Sequence, residues 1–255
     1  MTEVAGYEHY DLQEEDPYLI LGSTCLTNSL GILDTQLLND AEEAISAAAY
    51  AELIQSPVHP SFDLDHLCQI HQRLFGDIYP WAGIPRRTEI GKGGKLFLPY
   101  RLIESKAMAV FAELHGESLL RGLSMADFAV RAGYFLGRIN TMHPFREGNG
   151  RTQRILLDQL AELSGFAFEW SAISGEQMAM ACREARQDEL LLVRRHRREP
   201  LSLAHAFRQF LARPLHQPRL VIKQLDLRWS ARLREENDAL RLRREMRLAG
   251  GEEIR

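Results

Sequence analysis

The sequence predicts an all-α, mainly helical domain carrying one β-hairpin. Three observations lead there. Long stretches are rich in Ala, Leu and Glu, or repeat apolar residues at three- and four-residue steps, the spacing of a helix face. One stretch alone, residues 87–98, sets β-forming residues on both sides of a Gly-Lys-Gly-Gly turn. The chain has 255 residues, 45% of them hydrophobic, which is enough for one sizeable core.

Taken in order, residues 1–17 read as an acidic, polar N-terminal arm without the apolar run of a secretory leader. Thr35 to Gln55 has helical composition, and SPVHPS then breaks it with two prolines. Asp63 is placed to cap the next helix, whose face is Leu64, Leu67, Ile70 and Leu74. The texture changes in YPWAGIPRRTEIGKGGKLFLPY, where three prolines and four glycines mark a loop leading into the hairpin. Helix resumes from Ile103 to about His115. Ser124 is a suitable N-cap for a helix with a stripe of Phe128, Ala132, Phe135, Leu136 and Ile139. A further helix starts near Arg151 and stops at Gly165. SGEQMAMACREARQDELLLV and LSLAHAFRQFLARP predict two more. Leu225, Trp229, Leu233 and Leu240 stand in a dense polar background, so residues 214–255 predict an amphipathic helix extending beyond a domain of residues 18–213.

The net charge of −4 is unevenly spread. Residues 1–72 hold 13 acids and no Lys or Arg, which leaves the remainder at +9. Such blocks mark interaction surfaces or two halves that pack on each other. No run of about 18 apolar residues occurs, so a membrane span is not expected. Cys25, Cys68 and Cys182 lack CxxC spacing and predict small buried hydrophobes in a reducing compartment. A cytoplasmic location is expected, with delivery into another cell left open. The basic run RRHRR at 194–198 has no interleaved aromatics, so direct nucleic-acid binding is not expected.

Chemistry concentrates in HPFREGNGRTQR, residues 143–154. A loop that feeds a helix N-terminus presents backbone N–H groups and the positive end of the helix dipole, which suits anions. Gly148 and Gly150 allow a tight turn and close approach to a ligand, and Asn149 offers a side-chain hydrogen bond. Arg151 and Arg154, three apart, share a helix face and suit two or three phosphates. Glu147 would repel those phosphates unless a cation bridged them, which is the habit of Mg²⁺. His143 has the near-neutral pKa of a general base. Together they describe nucleotidyl transfer to a hydroxyl.

This stretch resembles the signature of the Fic family, His-x-Phe-x-(Asp/Glu)-Gly-Asn-Gly-Arg-x-x-Arg, at His143, Phe145, Glu147, Gly148, Asn149, Gly150, Arg151 and Arg154. YPWAGIPRRTEIGKGG resembles the family's loop and flap, YLILGSTCLTNSLGI the N-terminal segment of its toxin-type members, and ISGEQM the start of its late helix. The resemblance implies a Fic fold with a β-hairpin flap and an AMP-transferring enzyme using ATP and Mg²⁺. By position it implies His143 as base and Glu147 as metal ligand. Gly148, Asn149, Gly150, Arg151, Arg154, Lys92 and Gly93 would bind the nucleotide. Thr88, Glu89, Ile90 and Gly91 would dock the target's main chain. Family members are commonly restrained by a helix carrying (Ser/Thr)-x-x-x-Glu-(Gly/Asn), whose glutamate pairs with the second motif arginine. No Ser or Thr here is followed four residues on by such a Glu. The resemblance therefore implies a separate antitoxin, with a topoisomerase ATPase subunit as a target. Two alternatives stay open: transfer of another nucleotide such as UMP, and a catalytically silent partner-binding module.

Overall fold

The computed structural model describes residues 16–92, 95–170, 174, 177–180, 182 and 222–224. Helices α1 (Thr35–Gln55), α2 (Leu64–Phe75), α3 (Ile103–Gly116), α4 (Met125–Met142) and α5 (Asn149–Leu163) form its body. α1 packs on α2, α2 on α5, α5 on α4 and α4 on α3. The helices expected between residues 35 and 165 are therefore present. The starts have local causes. The Asp34 carboxylate accepts the Leu37 N–H at 2.8 Å, Asp63 accepts that of His66 at 2.8 Å, and the Ser124 hydroxyl accepts that of Asp127 at 3.2 Å. Each satisfies a donor that a helix N-terminus leaves unpaired.

α2 buries Leu67, Ile70 and Leu74, and α4 buries Phe128, Ala132, Phe135, Leu136 and Ile139, the faces their spacing predicts. α1 behaves differently. Its buried residues are Leu38, Glu42, Ser46 and Leu53, so the middle of its inner face is polar. Composition predicts the helix but not that face.

The hairpin is shorter than residues 87–98. β1 (Gly91–Lys92) and β2 (Lys95–Leu96) pair antiparallel, with Gly91 opposite Leu96 and Lys92 opposite Lys95. Phe97 N–H adds a bond to Ile90 C=O at 3.0 Å. Below that rung the two arms are tied to other parts of the molecule: Leu98 N–H donates to Thr141 C=O of α4 at 3.2 Å.

A second small sheet is present where the sequence predicts none. β3 (Phe166–Phe168) pairs antiparallel with β4 (Ile222–Gln224). Three residues are too few to display strand alternation. Phe166 and Phe168 lie 5.0 and 6.0 Å from the Phe128 ring, so β3 is held by packing against α4. β4 falls inside the stretch assigned to the C-terminal extension. Residues 177–180 and 182 are helical, and Ser174 and Gln177 form the reciprocal capping pair that opens this helix. The remainder of the late helices and of the extension lies outside the described residues.

Asp16, assigned to the arm, forms an ion pair with Arg146 at 2.7 Å, with both side chains about 95% buried. Tyr18 is buried beside it, its hydroxyl accepting the Arg87 N–H at 3.0 Å. The boundary between arm and domain thus crosses a buried contact. Cys25 is buried as expected, whereas Cys68 and Cys182 are half-buried. No described helix is long and apolar enough to cross a membrane.

Candidate active site

α4 ends at His143, which takes the left-handed conformation with φ 46° and ψ 65°. A non-glycine residue pays about 1 kcal/mol there, so surrounding contacts must enforce it. His143 N–H donates back to Ile139 C=O at 3.1 Å, closing the helix, and its own C=O accepts from Arg86 Nε at 2.9 Å. Nδ1 lies 3.2 Å from Asn140 C=O. A carbonyl only accepts, so Nδ1 carries the proton and Nε2 holds a lone pair. The ring stacks on Phe97 of the hairpin at 3.8 Å and 17°, and His143 is 8% exposed. Stacking covers a ring face; the Nε2 lone pair lies in the ring plane.

The loop then runs into α5 two residues earlier than expected, at Asn149. Gly148 has φ 78°, and a Cβ on it would overlap the Phe75 ring. Conformation and packing both require glycine there. Gly150 sits in the first turn with open space where a Cβ would be. Asn149 departs from the expected role. Its amide accepts the Phe145 N–H at 2.9 Å and donates to Phe145 C=O at 2.7 Å, and the residue is 1% exposed. The side chain braces the loop, and its main-chain N–H, at the start of α5, is the group placed for an anion.

His71 of α2 supports the same loop from below. Gly83 N–H donates to Nδ1 at 2.8 Å, so the proton sits on Nε2, which donates to Glu147 C=O at 3.0 Å. Its ring stacks on Phe145 at 3.9 Å. Burial pushes its pKa down to about 4, so the imidazole is neutral and its tautomer fixed.

Around α5 the charges interlock. Glu147 accepts the Gly148 N–H at 2.8 Å, and burial, then the nearby Glu42, raise its pKa. Arg151 donates to Glu42 and, at 2.6 Å, to the Ser46 hydroxyl, while its guanidinium lies 4.7 Å from the Phe75 ring centre. Tyr79 donates to the other Glu42 oxygen. The polar middle of α1 is thus the seat of Arg151. Arg154 lies 5.8 Å from the Trp170 ring centre and forms no hydrogen bond or ion pair with a described residue. Trp170 Nε1 and Tyr50 OH donate to Asp158, one turn beyond Arg154, at 2.8 and 3.0 Å. Burial raises the Asp158 pKa to about 6.

The flap residues divide. Thr88 is buried and its C=O accepts from Arg86 at 2.6 Å; Ile90 C=O is taken by Phe97. These two main-chain acceptors are turned inward, contrary to the expectation that all four residues dock a target. By strand alternation the main-chain groups of Glu89 and Gly91 face away from β2. Lys92 lies in β1, and Gly93 lies outside the described residues. Sequence reasoning missed Arg86, Glu42 and His71. Arg86 is one of two arginines in a proline-rich loop, and Glu42 is one acid among several on an Ala-rich helix; only the fold brings them to the motif.

Among known proteins, the Fic/DOC family profile matches residues 61–161. The Probable protein adenylyltransferase Fic of Salmonella typhimurium is 35% identical over 179 residues, covering 70% of this chain and 88% of the relative. The chain belongs to the Fic/DOC family. Protein adenylyltransferase VbhT of Bartonella schoenbuchensis is 41% identical over 170 residues, 67% of this chain. The match spans 36% of VbhT, about a third of its length. The N-terminal Fic domain of a VirB-translocated Bep effector protein from Bartonella quintana, solved with bound ADP, superposes with TM-score 0.69 at 25% identity, covering 82% of this chain and 96% of that one. The expected Fic fold, mainly helical with a small hairpin, is therefore borne out.

Proposed function

We propose that this Fic protein is a nucleotidyltransferase that moves AMP from ATP to a tyrosine, serine or threonine hydroxyl of another protein. The observation that carries the reading is the run from His143 to Arg154. There an imidazole with a lone pair on Nε2, a half-buried carboxylate and the open turn of a helix N-terminus follow one another on one loop and helix. The adenylyltransferase names of the relatives and the ADP held by the Bartonella quintana domain support the choice of adenine nucleotide.

His143 Nε2 takes the proton of the incoming hydroxyl as its oxygen bonds to the α-phosphorus; the bond to the β-phosphate oxygen breaks and pyrophosphate leaves. The α5 N-terminus, from Gly148 through Gly150, with Arg151 and Arg154, holds the phosphates. Glu147 holds the Mg²⁺. A carboxylate oxygen suits a hard divalent ion, and a cation there would offset the desolvation that chiefly raises its pKa and the charge of nearby Glu42. No cluster of three or more His, Cys, Asp or Glu exists among the described residues, so phosphate oxygens and water would complete the shell. When bound, Mg²⁺ neutralises phosphate charge. Lys92 and Gly93 are assigned to nucleotide binding, and Glu89 and Gly91 offer main-chain pairing to the target. The sequence sets no Glu four residues after a Ser or Thr, and this supports restraint by a separate antitoxin. The proposed target class is the ATPase subunit of a topoisomerase, met in the cytoplasm.

The test is mass spectrometry of lysate proteins after incubation with the chain, Mg²⁺ and ATP. A protein carrying an added AMP is the expected result. His143→Ala should lower transfer by about 100- to 10,000-fold. Parallel reactions with labelled GTP, UTP and CTP separate AMP from UMP transfer. Nucleotide binding with no transfer of any label would overturn the reading in favour of a partner-binding module.

A further inference from the structure

Arg86 stands at the crossing of two things the proposed chemistry needs, and neither sequence nor family profile assigns it a task. It is 2% exposed, and its side chain is among the largest fully buried in the described residues. An arginine does not shed its charge, so burial demands partners. Its hydrogen-bond partners include four main-chain carbonyls. Nε donates to His143 C=O at 2.9 Å and Nη1 to Thr88 C=O at 2.6 Å. Nη2 donates to Leu98 C=O and, at 3.5 Å, to Met142 C=O. Glu89 supplies a carboxylate 3.8 Å from Nη1. Arg86 N–H also donates to Pro144 C=O at 2.7 Å.

The four carbonyls fall into two groups. Met142 and His143 are the C-terminal end of α4, where the negative end of the helix dipole and unpaired carbonyls attract a cation. Thr88 and Leu98 are the two feet of the hairpin. The same guanidinium therefore bonds the left-handed turn that aims the imidazole and both arms of the flap. Two further contacts close the figure: Phe97 stacks on His143, and Leu98 N–H donates to Thr141 C=O. The planar fork is what permits this. Lysine donates from a single nitrogen and cannot reach carbonyls on opposite sides.

We propose that Arg86 is a positioning residue that locks the flap to the general base, so that base and target-docking edge keep one fixed geometry. The transfer role rests on the AMP-transfer reading above; the mechanical link does not. It predicts that the amides of Phe97, Leu98 and His143 open together although some 45 residues of chain separate them.

Hydrogen exchange tests this on wild type and Arg86→Lys. In Arg86→Lys, exchange at Phe97, Leu98 and His143 should accelerate together by roughly tenfold or more, since a charged hydrogen bond is worth over one decade. Exchange within α1 should stay as in wild type. ATP affinity should change less than threefold while the turnover of AMP transfer falls by roughly tenfold or more. Acceleration at the hairpin amides with His143 unchanged would overturn the link. If Arg86→Lys does not fold, exchange of the wild type across a guanidinium series decides the matter. The three amides should then share one opening free energy and one denaturant slope; separate openings overturn the proposal. Wild type that shows the shared opening yet transfers no nucleotide sinks the function reading and leaves the link standing. Wild type that transfers AMP, with Arg86→Lys equally fast, sinks the positioning role alone.

Discussion

A buried imidazole that stays neutral leaves a mark on stability. Unfolded, His71 takes up a proton near pH 6.5; folded, it does so only near pH 4. Between those values the unfolded state binds the proton and the folded state does not, so stability falls as pH falls through the window. The full loss is about 3 kcal/mol. His71→Gln should be less stable at pH 7, because Gly83 and Glu147 lose well-placed partners, but its stability should fall less steeply from pH 6.5 to 4. Urea unfolding at a series of pH values checks this, and equal slopes in both proteins would refute it. Gly148 carries a second residue-scale prediction. Gly148→Ala adds a left-handed strain of about 1 kcal/mol and a methyl group that meets Phe75, so the total cost should reach about 2–4 kcal/mol. Calorimetry would show a lowered melting temperature; an unchanged one would mean that Phe75 yields freely. The tight turn at Gly148 was legible in the sequence because it follows from residue type; the tautomer of His143 was not, because it is set by the Asn140 carbonyl. Nor was the inward turn of the Asn149 side chain, since residue type does not tell whether the amide reaches a ligand or the Phe145 backbone.

At the scale of elements, α1 shows what composition hides. Thr35–Gln55 is evident as a helix from its alanines, leucines and acids. That its inner face presents Glu42 and Ser46 to Arg151 depends on how α1 crosses α2 and α5, which no local pattern encodes. Glu42→Gln removes the counter-charge of a guanidinium that is 22% exposed. A cost of about 1–3 kcal/mol is expected, less than for a fully buried pair because water still reaches Arg151. Denaturant unfolding at low and high salt would measure it, and a stability equal to wild type would show that Ser46 and Phe75 suffice to hold the arginine. β3 and β4 were illegible for a simpler reason. Each is three residues long, and their pairing spans more than fifty residues of chain.

For the whole molecule, the uneven charge has a concrete meeting point. The first 72 residues contain no Lys or Arg, and Asp16 among them neutralises Arg146 inside the signature loop. Asp16→Ala leaves that guanidinium buried without its carboxylate, at a cost of about 3–5 kcal/mol. For a domain of this size that corresponds to a melting temperature lowered by about 6–20 °C. A thermal melt tests it, and a shift under 2 °C would show the arm to be dispensable to the loop. The helices α1 to α5 were readable from composition and periodicity; the dependence of the site on a residue far upstream was not, because a single aspartate in an acidic stretch carries no local sign of its partner.

The stack of Phe97 on His143 has one more consequence. It fixes the imidazole relative to the rungs of the hairpin. A partner strand laid along the outer edge would be measured against a ruler whose divisions are about 6.8 Å, two residues of extended chain. Sliding by one residue turns every side chain to the opposite face, and sliding by two carries a hydroxyl past the imidazole altogether. The acceptor would be chosen by its distance along the strand, with the letters around it free to vary.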